Sequence, residues 1–244
     1  MSKTHRGECR IGTSGYEYKH WRGPFYPKGL PQQKRFDYYA ERFDTVEINN
    51  TFYNLPEAST FDAWRERAPD EFRYALKFSR YGSHMKKLKA PEETIGLFME
   101  RARRLKSFLG PVLLQLPPRW KCNPERLDRF LSETPSDARW AVEFRDPSWL
   151  CPEIYAILRK HGAALCIHDM IPGHPREITA DWTYLRFHGD HYTGSYSHQF
   201  LSAQARRLQD YLDDRLDVYA YFNNDEKAYA VSNALDLRRY VGPD

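Results

Sequence analysis

Apolar residues recur along the chain in two alternating rhythms. Short runs bounded by Gly, Pro, Asn or Asp read as strands: Arg10–Tyr16, Thr45–Asn49, Arg73–Ser79, Pro111–Pro117, Arg139–Arg145, Ala164–Asp169, Trp182–Gly189 and Asp217–Asn224. Between them lie stretches with apolar residues every three or four positions, the spacing of one helix face. The clearest are Ala58–Arg67, Thr94–Ser107, Pro124–Glu133, Pro152–His161, Ser202–Asp214 and Ala228–Tyr240. In the second, Ile95, Phe98, Met99, Ala102, Leu105 and Phe108 form a stripe that predicts packing against a core. Asn123-Pro124 supplies a cap followed by a proline suited to the first helical turn.

Strands alternating with helices from end to end predict an α/β fold with a parallel sheet. Closed on itself, such a sheet is a (β/α)8 TIM-type barrel. The open, doubly wound alternative would carry a GxGxxG turn after the first strand, whereas this chain has Gly12-Thr13-Ser14-Gly15-Tyr16. Met170–Asp181 is short and rich in Pro and Gly, so the helix between strands six and seven is expected to be missing or very short. With no linker or low-complexity stretch, residues 1–244 read as a single barrel domain with a polar tail over about residues 1–9.

Strand side chains alternate between the helices and the barrel axis. With the apolar parity turned outward, the inward set becomes Glu47 and Asn49, Lys77 and Ser79, Gln115, Glu143 and Arg145, Arg186 and His188, and Tyr219, Tyr221 and Asn223. The sixth strand leaves His168 and Asp169 as alternatives. Polar residues thus gather at the C-terminal strand ends, where TIM barrels place their active sites. Two carboxylates and three cations buried there must pair, hydrate or hold a ligand, because an uncompensated buried ion costs several kcal/mol.

Composition narrows this picture only a little. At 244 residues one globule buries roughly 70–75% of its unfolded surface and needs no disulfide or metal to stand. The cysteines Cys9, Cys122, Cys151 and Cys166 form neither a CxxC pair nor a zinc spacing, and no nucleophile signature surrounds them. No apolar run is long enough to span a membrane, and Met1–Arg10 lacks the apolar core of a secretory signal, so the cytoplasm is the expected location. A net charge of +4, from 37 basic and 33 acidic residues, fits a small anionic ligand or a weak nucleic-acid surface.

The chain resembles the YecE-like family, the domain of unknown function 72. The likeness rests on Ile11-Gly12-Thr13-Ser14-Gly15-Tyr16 with Trp21 and Phe25-Tyr26-Pro27, then Val46-Glu47-Ile48-Asn49-Asn50-Thr51-Phe52-Tyr53, Leu55-Pro56 and Trp64. It continues through Lys77, His84 and Leu88, and then Leu109-Gly110-Pro111 and Leu114-Gln115-Leu116-Pro117-Pro118. Glu143-Phe144-Arg145 with Trp149, Arg186-Phe187-His188-Gly189, Tyr221-Phe222-Asn223-Asn224, Ala228 and Asn233-Ala234 complete it. The blocks run in order over about residues 10–240. The resemblance implies a barrel and agrees with the inward set; it supplies no activity.

Three chemistries are compatible with these residues. The first is an enzyme, a hydrolase by class, on a small phosphorylated or carboxylated substrate. Lys77, Arg145 and Arg186 would grip the anion, Glu47 or Glu143 would act as general base, and His188 as general acid. Asn49, Gln115, Tyr221 and Asn223 would orient the substrate, with Tyr16, Trp21, Tyr53 and His84 walling the pocket. The second is a metal-dependent phosphoesterase on nucleic acid. No cofactor is expected, but a divalent metal would fall to Glu143, Asp169 and His188, against the repulsion of three nearby cations. The third is a non-catalytic binding protein whose aromatic, basic loop Tyr16–Lys28 meets nucleic acid or a partner. A purely structural ion network of Glu47, Lys77, Glu143, Arg145 and Arg186 stands against all three. His191 and His198 flank Tyr192–Ser197, a loop placed where barrels bind phosphate, while His5, His20, His161 and His174 show no partner.

Overall fold

The computed structural model describes residues 6–189 and 194–242. Eight parallel strands follow one another around the barrel: β1 Cys9–Thr13, β2 Thr45–Ile48, β3 Arg73–Lys77, β4 Leu109–Gln115, β5 Trp140–Glu143, β6 Ala164–His168, β7 Trp182–Phe187 and β8 Asp217–Phe222. β1 pairs with β8, and the ring is nearly closed on its other side by a bridge between Ser14 and Glu47. There the Gly15 N–H donates to the Glu47 carbonyl at 2.8 Å. Gly12 makes that approach feasible: a Cβ on it would lie 2.4 Å from the Thr45 carbonyl oxygen. The (β/α)8 TIM-type barrel is therefore the observed fold.

The helices are α1 Arg35–Ala40, α2 Asn50–Tyr53, α3 Ala58–Arg67, α4 Pro91–Ala102, α5 Pro124–Ser132, α6 Pro152–Lys160, α7 His198–Asp213 and α8 Tyr229–Val241. No helix separates β6 from β7, as the Pro/Gly-rich link predicts. The short α1 and α2 escape a periodicity reading because neither completes two turns. The predicted strands overrun at their C-terminal ends, where residues such as Asn49, Ser79, Arg145 and His188 leave the ladder to enter loops. The helix predicted from Ser202 starts a turn earlier, where the Ser197 hydroxyl accepts from the Phe200 N–H at 3.2 Å. Among the described residues no helix is long and apolar enough to cross a membrane.

Two apolar layers result from strand alternation. The outward faces of the strands pack on the helices through residues such as Val46, Leu76, Leu114, Val142 and Leu165. Inside, Trp182, Tyr184, Tyr219 and Tyr221 of β7 and β8 fill the space left by Ala75, Ala141, Ala164 and Cys166 opposite. Large side chains facing small ones close the barrel without a channel. This apolar plug is the floor on which the polar mouth rests.

Candidate functional site

Arg186, second from the end of β7, is the hub of the mouth. Its Nη2 donates to Glu47 Oε1 and its Nη1 to Glu143 Oε2, each at 2.7 Å. Both carboxylates are fully buried, so their charges depend on paired cations, Arg186 for both and Arg145 as well for Glu143. Burial alone would raise the Glu143 pKa, but Arg186 and then Arg145 outweigh it and hold the group well below the usual carboxylate range. Glu47 is likewise held down by Arg186 against its burial. Ser14 and Tyr184 donate their hydroxyls to Glu47, the latter at 2.6 Å. Arg145 Nε donates to Glu143 Oε1.

His188 sits behind the arginines, fully buried. Its Nε2 lies 3.2 Å from Arg186 Nη1 and 3.3 Å from Arg145 Nη2, both obligate donors, so Nε2 carries the lone pair. The proton is on Nδ1, 3.1 Å from Asp169 Oδ1. Burial pushes the His188 pKa down, the Asp169 hydrogen bond opposes this, and Arg186 adds to it. Asp169 also accepts from the His188 N–H and from the Tyr196 hydroxyl. His188 is thus a neutral acceptor at rest, not the general acid that the sequence suggests. Glu47 and Glu143, each taken up by Arg186, are not resting general bases either.

The sixth strand uses both of its alternatives. His168 points inward with Cys166, its Nε2 at 2.8 Å from the Phe144 carbonyl and its Nδ1 accepting from the Met170 N–H at 3.2 Å. Both nitrogens are satisfied in the neutral ring, and burial pushes its pKa down to about 4. Asp169, the next residue, reaches the mouth from the strand's end.

On the other side of the mouth the ends of β2, β3 and β4 present Asn49, Lys77 and Gln115. Lys77 as a whole is 8% exposed, and its ammonium lies 4.4 Å from the centre of the Phe52 ring. Among the described residues no carboxylate oxygen is within ion-pair distance of it. Burial, and then the charge of Arg186, push its pKa down to about 8. Asn49 Nδ2 donates to the Ser14 hydroxyl at 2.7 Å, leaving its Oδ1 buried without a partner; Gln115 Oε1 is in the same condition. His84 stacks edge-on against Phe52 at 5.0 Å between centroids, and burial followed by the charge of Lys77 lowers its pKa to about 4.

Other expected site residues stand elsewhere. Tyr221 is fully buried in the plug, its hydroxyl 2.7 Å from Thr45 Oγ1, a layer beneath the mouth. Trp21 is fully buried too, its Nε1 donating to the Asp225 carbonyl at 2.9 Å, and Tyr16 packs on Phe36 and Tyr39. The Tyr16–Lys28 loop is therefore a packed aromatic cluster that ties the β1 loop to the β8 loop, with its largest rings turned away from solvent. Tyr53 projects into solvent beside the mouth, and Asn223 closes the end of β8 through its N–H to the Phe187 carbonyl at 2.7 Å. The alternative metal set does not converge: Glu143 is on the arginines while His188 and Asp169 are on each other. Among the described residues no group of three or more His, Cys, Asp or Glu is placed to hold a metal. Three of the lone histidines have partners after all: His20 on Asp225, His161 on Asp128, and His174 against His168. His198 bonds Tyr240, while His5, His191 and Tyr192 lie outside the described residues.

Ser14, Tyr184 and Tyr196 belong to the site without having been singled out from the sequence. The first two were within reach, since Ser14 continues the Arg10–Gly12 parity and Tyr184 precedes Arg186 by two. Tyr196 comes from a loop and carries no periodic signal.

A family model described as "Protein of unknown function DUF72" matches residues 10–244. The UPF0759 protein YunF of Bacillus subtilis is 24% identical over 248 residues, covering 87% of this chain and 88% of that protein. A crystal structure of a DUF72 family protein from Thermotoga maritima superposes with a TM-score of 0.85 at 29% identity, covering 95% of this chain and 98% of the other. A second, from Enterococcus faecalis, gives 0.79 at 20% identity over 97% and 96%, a likeness of fold alone.

Proposed function

The chain belongs to the DUF72 family of proteins of unknown function, and on that premise we propose that its barrel mouth is the active site of an enzyme acting on a small carboxylated or phosphorylated substrate. The observation that carries this reading is Lys77, a largely buried lysine without a carboxylate ion-pair partner among the described residues, on a strand whose two neighbours lead to Asn49 and Gln115, each with a buried side-chain oxygen that lacks a partner. Unpaired buried polar groups cost stability, so a bound donor at these oxygens would be favourable. An anion with a hydroxyl or N–H donor satisfies all three at once.

In this reading Lys77 and Arg145 draw the anionic group, and the amide oxygens of Asn49 and Gln115 take its donors. Glu47 and Glu143 stay ionised and hold the Arg186 fork in place. Proton transfer falls to Lys77, whose pKa of about 8 lies near neutrality, while His188, its tautomer fixed by Asp169, holds the two arginines.

Thermal melts with inorganic phosphate and with lactate, on the wild type and on Arg145→Gln, test the reading. Millimolar anion is expected to raise the wild-type Tm by several degrees and the variant's by much less. Equal shifts in the two, or none in either, would overturn it.

A further inference from the structure

Lys77 is more than a point charge for an anion. Among the described residues Arg186 pairs with Glu47 and Glu143, and Arg145 with Glu143, so these carboxylates act on Lys77 only at a distance. Its ammonium is packed instead on the face of Phe52. A buried amine in that position gives up its proton more easily than one in water. At a pKa of about 8, roughly one amine in ten is the free base at pH 7, against fewer than one in a thousand for an ordinary lysine. Removal of the proton makes the nitrogen a nucleophile.

We propose that Lys77 is a covalent catalyst that forms an imine with a substrate carrying a carbonyl beside its carboxylate or phosphate ester. This deepens the reading of the mouth as an anion-binding active site and rests on it. The lone pair of the free amine forms the Nζ–C bond while the carbonyl π pair moves to oxygen. The nitrogen pair then closes the C=N bond as the oxygen departs in water. Overall, the ammonium and the carbonyl compound give a protonated imine and one water. The two protons lost by nitrogen are the two carried off by oxygen, charge is conserved, and nothing is oxidised or reduced.

The surroundings suit each stage. Arg145, with its side chain 10% exposed, is the cation placed to hold the anionic end. Asn49 follows β2 and Gln115 ends β4, the strands either side of β3, and each has a buried side-chain oxygen without a partner. They are acceptors for the carbinolamine hydroxyl and for any hydroxyl next to the carbonyl.

The test is reductive trapping. The full-length protein is incubated at pH 7.5 with glyoxylate, pyruvate or dihydroxyacetone phosphate in the presence of sodium cyanoborohydride, followed by intact mass measurement and peptide mapping. The expected result is a single adduct on Lys77 with at least one of these, formed at least tenfold faster than on any other lysine. Because the wild-type map alone decides, the result does not depend on a variant folding. Lys77→Met, with its fold checked by thermal melting, is the control and is expected to give no adduct. Adducts spread evenly over surface lysines, or none at Lys77, overturn the imine. If phosphate still raises the Tm in that case, the anion-binding reading survives alone; if it does not, both fall.

Discussion

Glu47 and Glu143 rise from strands on different sides of the barrel and share one counter-ion, each accepting an N–H of Arg186 at 2.7 Å. The relationship makes the two carboxylates interdependent. Neither can be ionised in a dry interior without the fork between them, and the fork cannot be buried without both.

Arg186→Leu is therefore expected to destabilise the protein by about 3–5 kcal/mol, since it leaves Glu47 without its ion-pair partner and Glu143 with Arg145 alone. Arg186→Lys should recover only part of this, because one ammonium cannot bridge both sites. Replacing all three at once, Glu47→Gln, Glu143→Gln and Arg186→Met, should cost far less than the single loss. Urea denaturation of the three proteins checks the order. A single replacement that costs nothing would show that the triad is hydrated rather than buried.

Lys77 makes the opposite prediction. Its pKa is lowered from 10.5 to about 8 by burial and by Arg186. Between those values the unfolded chain binds more protons than the folded one, so this group's contribution to stability rises with pH across that window. Below pH 8 its full penalty is present, on the order of 3 kcal/mol at about 1.4 kcal/mol per pKa unit. Lys77→Met should thus stabilise the protein at pH 7, by about 1–3 kcal/mol once the lost contact with Phe52 is allowed for. The gain should fade between pH 8 and 10. A destabilised variant at pH 7 would mean that Lys77 is paired in solution.

How much of this was legible in the sequence follows from where each residue sits. Glu47, Glu143 and Arg186 lie inside regular strands, so period-two alternation alone turns them inward. The apolar plug beneath them was only partly visible: alternation turned Tyr219 and Tyr221 inward, but a tyrosine combines an apolar ring with a polar tip, so nothing told a plug residue from a mouth residue. Asp169, Tyr196 and Trp21 lie on loops, where no period applies and only the closed ring reveals their neighbours. The hydrogen-bonded states of His188 and the two glutamates were not legible for another reason. Residue type marks a group as able to move protons, while the hydrogen bonds that immobilise it depend on strands far apart in sequence.

His168, together with His84, should contribute to the loss of stability in mild acid. Its pKa is pushed down to about 4 by burial, against 6.5 for an ordinary histidine. Between those values the unfolded chain takes up a proton that the folded chain refuses, so stability falls as pH drops from 6.5 to 4. The drop amounts to about 3 kcal/mol at about 1.4 kcal/mol per unit. His168→Gln retains a donor for the Phe144 carbonyl but cannot titrate, and its stability curve should be flatter in that window. Thermal melts at half-unit steps of pH measure the difference. Parallel curves for the two proteins would assign the acid sensitivity to other groups.

Phosphate binding should be accompanied by proton uptake. An anion beside Lys77 favours the ammonium, so it raises a pKa that burial has brought down to about 8. At pH 8 to 9, where much of the free protein carries the neutral amine, binding must then draw protons from the buffer. At pH 6.5, where Lys77 is already charged, its share of the uptake vanishes. Titration calorimetry with inorganic phosphate in two buffers of different ionisation enthalpy reads the number directly. Roughly half a proton per phosphate is expected near pH 8.5 for a shift of one unit or more, and close to none for Lys77→Met at the same pH. Phosphate has no carbonyl, so this result is independent of imine formation and reports only whether the anion and Lys77 meet. Uptake that persists in Lys77→Met would move the anion's partner to His188 or His84 and remove Lys77 from the site.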